Sequence, residues 1–179
     1  YKLLAADFTG DGITDLAVGF HDLGLLTIER GNGRGRFKHL AQTPIRPANG
    51  KGFVEGSYNF STADLDGDGK LDLAVGCRET FVLLARNMGD GHFKPMVRFP
   101  TESAAKGVAL ADLDNDGRQD LVVAVAGSLI VAEGNGQGRF QLRNVLSVSD
   151  DTRSISAADY DLDGRLDLYA CVYNSDAVS

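Results

Sequence analysis

The chain has 179 residues, 43% of them hydrophobic, and a formal net charge of −7, enough apolar material for one globular core of ordinary size. No apolar run reaches the roughly 20 residues that cross a bilayer, and the start shows no basic stretch leading into an apolar block. The negative balance argues against a nucleic-acid partner held through its phosphates. The expectation is a soluble domain without membrane insertion, any targeting signal lying outside this sequence.

In chain order, the first element is an acidic loop, Asp7-Phe-Thr-Gly-Asp-Gly-Ile-Thr-Asp15, which runs at once into a strand at 16–18. A second strand follows at 25–28, and Gly31-Asn-Gly-Arg-Gly-Arg-Phe37 then turns the chain into another. Glycines bracketing a polar residue before a strand are hairpin chemistry, because Gly and Asn reach positive φ at little cost. The same order recurs. Asp64-Leu-Asp-Gly-Asp-Gly-Lys-Leu-Asp72 leads into strands at 73–75 and 81–85 and the hairpin Met88-Gly-Asp-Gly-His-Phe93. Asp112-Leu-Asp-Asn-Asp-Gly-Arg-Gln-Asp120 leads into strands at 121–125 and 129–132 and the hairpin Gly134-Asn-Gly-Gln-Gly-Arg-Phe140. Asp159-Tyr-Asp-Leu-Asp-Gly-Arg-Leu-Asp167 leads into a strand at 168–172.

The four loops align without a gap, and their starts lie 57, 48 and 47 residues apart. Sheet propellers repeat at roughly 40 to 50 residues per blade. The fold expected is all-β: propeller blades of four antiparallel strands, one entering the acidic loop, one leaving it, one before the hairpin and one after. No stretch has a helical period. The repeats fall at about 1–57, 58–105, 106–152 and 153–179, three complete and a fourth that stops after its second strand. Because a propeller hides its sheet edges only by closing a ring, the chain is expected to be part of a longer propeller, with self-association as the alternative.

The loops carry the chemistry. Aspartates at positions 1, 3 and 5 of a tight turn aim carboxylates inward, Gly at position 6 permits the reversal, position 7 offers its carbonyl, and position 9 adds another carboxylate. An all-oxygen cage of this charge suits calcium, with magnesium a weaker fit because it keeps its waters. The candidate ligands are Asp7, Thr9, Asp11, Ile13 and Asp15; Asp64, Asp66, Asp68, Lys70 and Asp72; Asp112, Asp114, Asp116, Arg118 and Asp120; and Asp159, Asp161, Asp163, Arg165 and Asp167. Thr9 offers one neutral oxygen where the other loops have an acid, so the first site is the weakest of up to four. A helix-loop-helix calcium hand would need Glu at position 12, where this chain has Val18, Val75, Val123 and Ala170. Four uncompensated carboxylates in one turn would repel each other, which argues against ordinary ion-free turns. Fifteen of the 25 acidic residues sit in these loops, and four divalent cations would bring the formal charge from −7 to +1.

The acidic loop, apolar strand and Gly-Asn-Gly-x-Gly-x-Phe hairpin resemble the FG-GAP and VCBS-type repeats, which include the calcium-loop blades of the integrin α-subunit propeller. The resemblance covers nearly the whole chain. It implies a propeller of seven or eight blades in secreted or cell-surface proteins, calcium on the loop residues named above, and partner-binding connections on the opposite face.

That opposite face is where the connection Pro44 to Gly56 would project, about eight residues longer than its later counterparts and carrying Arg46, Asn49, Lys51, Phe53 and Glu55, with Tyr58 nearby. Cys77 and Cys171 read as small buried strand thiols in preference to a disulfide. His21, His39 and His92 are scattered, and neither a nucleophile elbow nor a metalloprotease helix nor a phosphate loop is present, so no catalytic residue is assigned. The expected function is a non-catalytic extracellular recognition or adhesion module, cell-surface or periplasmic locations included, that binds a protein or glycan. The alternative is the propeller part of a carbohydrate-active enzyme such as a polysaccharide lyase.

Overall fold

The computed structural model describes residues 2–20, 25–44 and 57–173. His21 and the connection 45–56, with Arg46, Asn49, Lys51, Phe53 and Glu55, lie outside the described residues, as does the Tyr58 side chain. Twelve strands are described: β1 (Lys2–Ala6), β2 (Asp15–Phe20), β3 (Leu25–Gly31), β4 (Phe37–Pro44), β5 (Ser57–Ala63), β6 (Asp72–Cys77), β7 (Phe81–Asn87), β8 (Phe93–Pro100), β9 (Gly107–Ala111), β10 (Asp120–Gly134), β11 (Phe140–Ala158) and β12 (Asp167–Tyr173). They form three antiparallel four-stranded sheets, ordered β1-β2-β3-β4, β5-β6-β7-β8 and β9-β10-β11-β12. No helix occurs among the described residues.

The first two sheets follow the four-strand unit read from the sequence. In the third the unit's divisions are run together. β10 holds both the strand leaving the third acidic loop and the strand before the hairpin, joined through Gly127 at φ +71°. β11 pairs with β10 through its first half and with β12 through its second, from Asp151↔Tyr173 to Ala158↔Asp167. The last strand of the third repeat thus continues into the first strand of the fourth.

Burial follows from the number of neighbours each sheet has. Along β6 every residue is buried, whereas along β2 buried and half-buried residues alternate. Among the described residues the middle sheet packs against a neighbour on both faces and the first on one. One apolar layer joins Phe8, Leu26 and Ile28 of the first repeat to Leu73, Val75, Phe81 and Phe93 of the second. Another joins Leu65, Val82, Leu84 and Phe99 to Val108, Leu121, Val123 and Ile130. Period-2 alternation accounts for both: Leu73 and Val75 point to one neighbouring sheet while Ala74 points to the other. The first strands of the sheets lie side by side, β1 next to β5 and β5 next to β9, the radial arrangement of propeller blades.

The cysteines fall differently from each other. Cys77 is buried, its thiol donating to the Phe81 carbonyl at 3.0 Å, and burial pushes it up to about 12. Cys171 is exposed, contrary to the buried thiol expected, because β12 is the outermost strand of its sheet. Both are free thiols.

Candidate metal-binding loops

Each acidic loop spans two strands of one sheet, so strand pairing fixes its ends: Ala6↔Asp15, Ala63↔Asp72, Ala111↔Asp120 and Ala158↔Asp167 are register partners. Within that frame the position-1 carboxylate organises the turn. Asp64 accepts the Gly67 N–H at 2.8 Å and the Asp68 N–H at 3.2 Å on Oδ1, and the Gly69 N–H at 2.9 Å on Oδ2. Asp7 makes the same three bonds, and Asp112 and Asp159 make the two from positions 5 and 6. The position-5 carboxylate caps position 7: Asp11, Asp68, Asp116 and Asp163 accept the N–H groups of Ile13, Lys70, Arg118 and Arg165. Position 4 takes positive φ in every loop, as Gly10, Gly67, Asn115 and Leu162. Leucine pays a steric cost there that glycine and asparagine do not, and Leu162 is also 85% exposed.

Position 9 does something that the loop sequence does not announce. Asp15, Asp72 and Asp120 are almost completely buried, and each reaches across to the hairpin of its own sheet. Asp15 Oδ1 accepts the Gly31 N–H at 2.9 Å, Asp72 Oδ1 the Asn87 N–H at 2.8 Å, and Asp120 Oδ1 the Gly134 N–H at 3.0 Å. The second oxygen returns to position 2 of the loop, on Phe8, Leu65 and Leu113. One carboxylate therefore fastens loop to hairpin. In the first and third sheets the hairpin residue must be glycine: a Cβ at Gly31 would lie 2.0 Å from the Thr14 carbonyl oxygen, and one at Gly134 1.9 Å from that of Gln119. The second sheet places Asn87 there instead. Its Nδ2 donates to the Leu71 carbonyl at 3.1 Å and to the Phe8 carbonyl of the preceding loop at 2.9 Å, tying two blades together.

Three carboxylates converge within 4.8 Å in each of three loops: Asp64, Asp66 and Asp72; Asp112, Asp114 and Asp116; Asp159, Asp161 and Asp167. The first loop does not form such a group among the described residues. Its position 3 is Thr9, as the sequence reading stressed, and its Asp11 is drawn to Arg30. In the second loop Asp66 Oδ1 is buried and has no hydrogen-bond partner. A buried carboxylate oxygen without a donor is costly, and a cation in the cage would satisfy it. The donor set is all oxygen, so the residues present fit a hard divalent cation of calcium's type.

Electrostatics divide the second cage into two regions. Burial pushes the Asp72 carboxyl up to about 6, against the pull of the Asn87 and Leu65 N–H groups, with the Asp66 and Asp68 charges raising it further. Asp120 is raised for the same leading reason. Asp68 is held down at about 2 by Lys70 and then Arg86, whose side chains reach its Oδ2. Sequence reading missed these cations, although Arg30 and Arg86 occupy the same place, one residue before the hairpin, in two repeats.

His39 and His92 play no part in the cages: His39 faces Glu29 at 3.1 Å and His92 faces Asp90 in the hairpin.

Comparison with known proteins agrees with this architecture. The profile of the FG-GAP-like repeat matches residues 7–75, 64–123 and 112–170. No curated protein matches the chain. Among solved structures, BBS1N in complex with ARL6DN, soaked with lead, superimposes with a TM-score of 0.67 at 14% identity over 95% of this chain and 50% of that one. The mercury-soaked crystal of the same complex gives 0.65 at 16% identity over 95% and 46%. An Agrocybe aegerita lectin with specific recognition of non-reducing terminal N-acetylglucosamine gives 0.64 at 31% identity over 94% and 45%. The chain thus spans about half the length of these structures. Three overlapping matches, running from the first acidic loop into the strand that follows the last, show that the chain belongs to the FG-GAP-like repeat family.

Proposed function

We infer that the chain is a calcium-binding recognition module, non-catalytic, in which the acidic loops hold structural ions and the opposite end of the blades meets a protein or glycan. The observation that carries the calcium reading is the second loop, where three carboxylates converge within 4.8 Å and Asp66 Oδ1 is buried without a donor. The other loops supply the same donors with graded completeness, the first being the poorest. Sites of this kind in extracellular modules bind at about 0.1 to 1 mM, so external calcium fills them and cytosolic calcium does not. That chemistry supports an extracellular, cell-surface or periplasmic setting.

Recognition is supported by what the structural neighbours bind, a protein in the BBS1N complex and terminal N-acetylglucosamine in the lectin, and by a groove of about 1080 Å³ between the second and third sheets. Antiparallel strands put the acidic loops and hairpins at one end of each blade and the β8–β9 connection at the other. The groove starts at that other end, at Thr101, Glu102 and Ser103, and runs past Val97, Phe99 and Val145 to Arg139. Its apolar floor and charged rim have the make-up of a binding site.

The test has two arms. Thermal melting of metal-stripped protein, alone and with calcium or magnesium, should show a higher melting temperature with calcium than with magnesium. Glycans ending in N-acetylglucosamine, immobilised and probed with calcium-loaded protein, should retain the wild type and not a Val97→Glu/Val145→Glu variant. An unchanged melting temperature would defeat the calcium reading, and equal retention of wild type and variant would defeat the groove.

A further inference from the structure

Two aspartates of the second loop share Arg86, while Lys70 Nζ also pairs with Asp68 Oδ2 at 2.8 Å. Arg86, at the end of β7, places Nε 2.9 Å from Asp66 Oδ2 and Nη2 2.9 Å from Asp68 Oδ2. Both outer oxygens are thereby taken, the second Asp68 oxygen caps the Lys70 N–H, and Asp66 Oδ1 is left facing inward with no donor. A guanidinium spreads its charge over a rigid fork that can face two carboxylates in one arrangement: here Nη2 donates to Asp68 while Nε lies in ion-pair contact with Asp66. On the equivalent rung of the first sheet, Arg30 puts Nε and Nη2 at 3.1 and 2.7 Å from Asp11 Oδ2. The third sheet has Glu133 on that rung, and its cations come from elsewhere: Arg118 pairs with Asp116 and Glu133, and Arg143 with Asp114 at 2.7 Å. None of the described ion pairs reaches Asp159, Asp161, Asp163 or Asp167.

We propose that Arg86 is a positioning residue, a tethered counter-ion that keeps the second loop in its cation-ready shape when no metal is bound, and that Arg30 holds the turn of the first loop in order in the same way. Carboxylates crowded into an empty turn repel one another and splay the turn open. A guanidinium anchored on the neighbouring strand offsets that repulsion from the outer side and leaves the inner oxygens free. The loops then differ in how far their order depends on added metal: the second keeps its shape without it, and the fourth, with no such partner among the described residues, does not. Only the response to added metal rests on the calcium reading above. The effect of removing the arginine from metal-stripped protein does not.

Residue-resolved amide hydrogen exchange on metal-stripped wild type, Arg86→Gln and Arg86→Lys tests this. The Gly67, Asp68, Gly69 and Lys70 N–H groups, all bonded to Asp64 or Asp68, should exchange roughly tenfold or more faster in Arg86→Gln, the factor expected for losing hydrogen bonds to charged groups. Arg86→Lys should fall between, keeping the charge and losing the fork. The amides of β6 and β7 should be unchanged, which separates loop loosening from loss of the fold. Arg30→Gln should loosen the first loop and leave the second alone. In the wild type the Asp163 and Gly164 amides should exchange faster than those of Asp68 and Gly69. Equal exchange of the second loop in wild type and Arg86→Gln overturns the proposal. Calcium should restore slow exchange to the Arg86→Gln loop. If it slows no loop in any variant, the calcium reading falls while the arginine result stands.

Discussion

Removing metal from the second loop should expose a pH dependence that comes from Asp72. Its carboxylate is fully buried, and burial is the main reason its pKa stands at about 6 against 3.8 for a free side chain. Kept ionised at neutral pH with no cation nearby, it costs the fold up to about 3 kcal/mol. The sign follows from which state holds the proton more tightly. The folded pKa is the higher one, so the stabilising contribution is fully present below pH 3.8 and is lost as pH rises through about 6. Between pH 7.5 and pH 5 the metal-stripped protein should gain about 1.4 kcal/mol from this residue, a rise in melting temperature of roughly 3 to 6 °C for a chain of this size. Asp120, raised by burial as well, adds in the same direction. Asp68 is held down, so its contribution is present above pH 3.8 and is lost only as pH falls towards 2, outside this window. Urea titrations at both pH values, in buffers freed of divalent ions, would measure the difference for wild type and Asp72→Asn. The gain should shrink in the variant, and calcium at pH 7.5 should remove much of the wild-type penalty by stabilising the ionised form. A wild type that becomes less stable from pH 7.5 to 5, or an Asp72→Asn variant with the full wild-type gain, would refute the reasoning.

Phe8→Ala should destabilise the chain by about 3 to 5 kcal/mol in urea unfolding, because Phe8 is 1% exposed and meets Phe93 of the next sheet edge-on at 6.0 Å. A double-mutant cycle with Phe93→Ala should return a coupling of about 0.5 to 1.5 kcal/mol. Asp68→Ala and Asp116→Ala should each weaken calcium binding, read by titration calorimetry, more than Thr9→Ala does, and Thr9→Asp should strengthen the first site. Gly134→Ala should cost about 1 to 3 kcal/mol or more, since its Cβ would meet the Gln119 carbonyl oxygen at 1.9 Å. Circular-dichroism melts measure the loss, which comes from the clash alone because Gly134, unlike Gly136 at φ +67°, does not take the left-handed backbone.

Much of the fold is written in local chemistry, and local chemistry is what a sequence displays. The spacing of Asp, Gly and Asp within nine residues dictates a loop, and the apolar run behind it dictates a strand. The glycine hairpins mark where the chain turns back. Contacts set by the packing of blades were not legible in the same way. Asp72 was read as one more ligand, and its bond to the Asn87 N–H depends on bringing together residues 15 apart in the chain. Asn87 reaches Phe8 across 79 residues, a link between blades that no pattern within one repeat encodes. The arginines at 30 and 86 left a periodic trace, but their partners are carboxylates already assigned to metal, so the pairing was visible only in space. Cys171 follows the same strand pattern as Cys77, yet it is exposed because nothing described packs outside β12. The merging of strands in β10 comes at Ala126-Gly127-Ser128, in a segment one residue shorter than its counterpart, with 14 residues separating Asp120 from Gly134 against 15 separating Asp72 from Asn87.

The most direct test of the calcium account is a count of ions bound at saturation. Metal-stripped protein is equilibrated by dialysis against millimolar calcium, and bound calcium is measured by atomic absorption alongside a magnesium control. The account predicts three strongly held calcium ions per chain with a fourth, weaker one lost in Thr9→Ala, and little magnesium. A chain that holds no calcium above the dialysis buffer would contradict it.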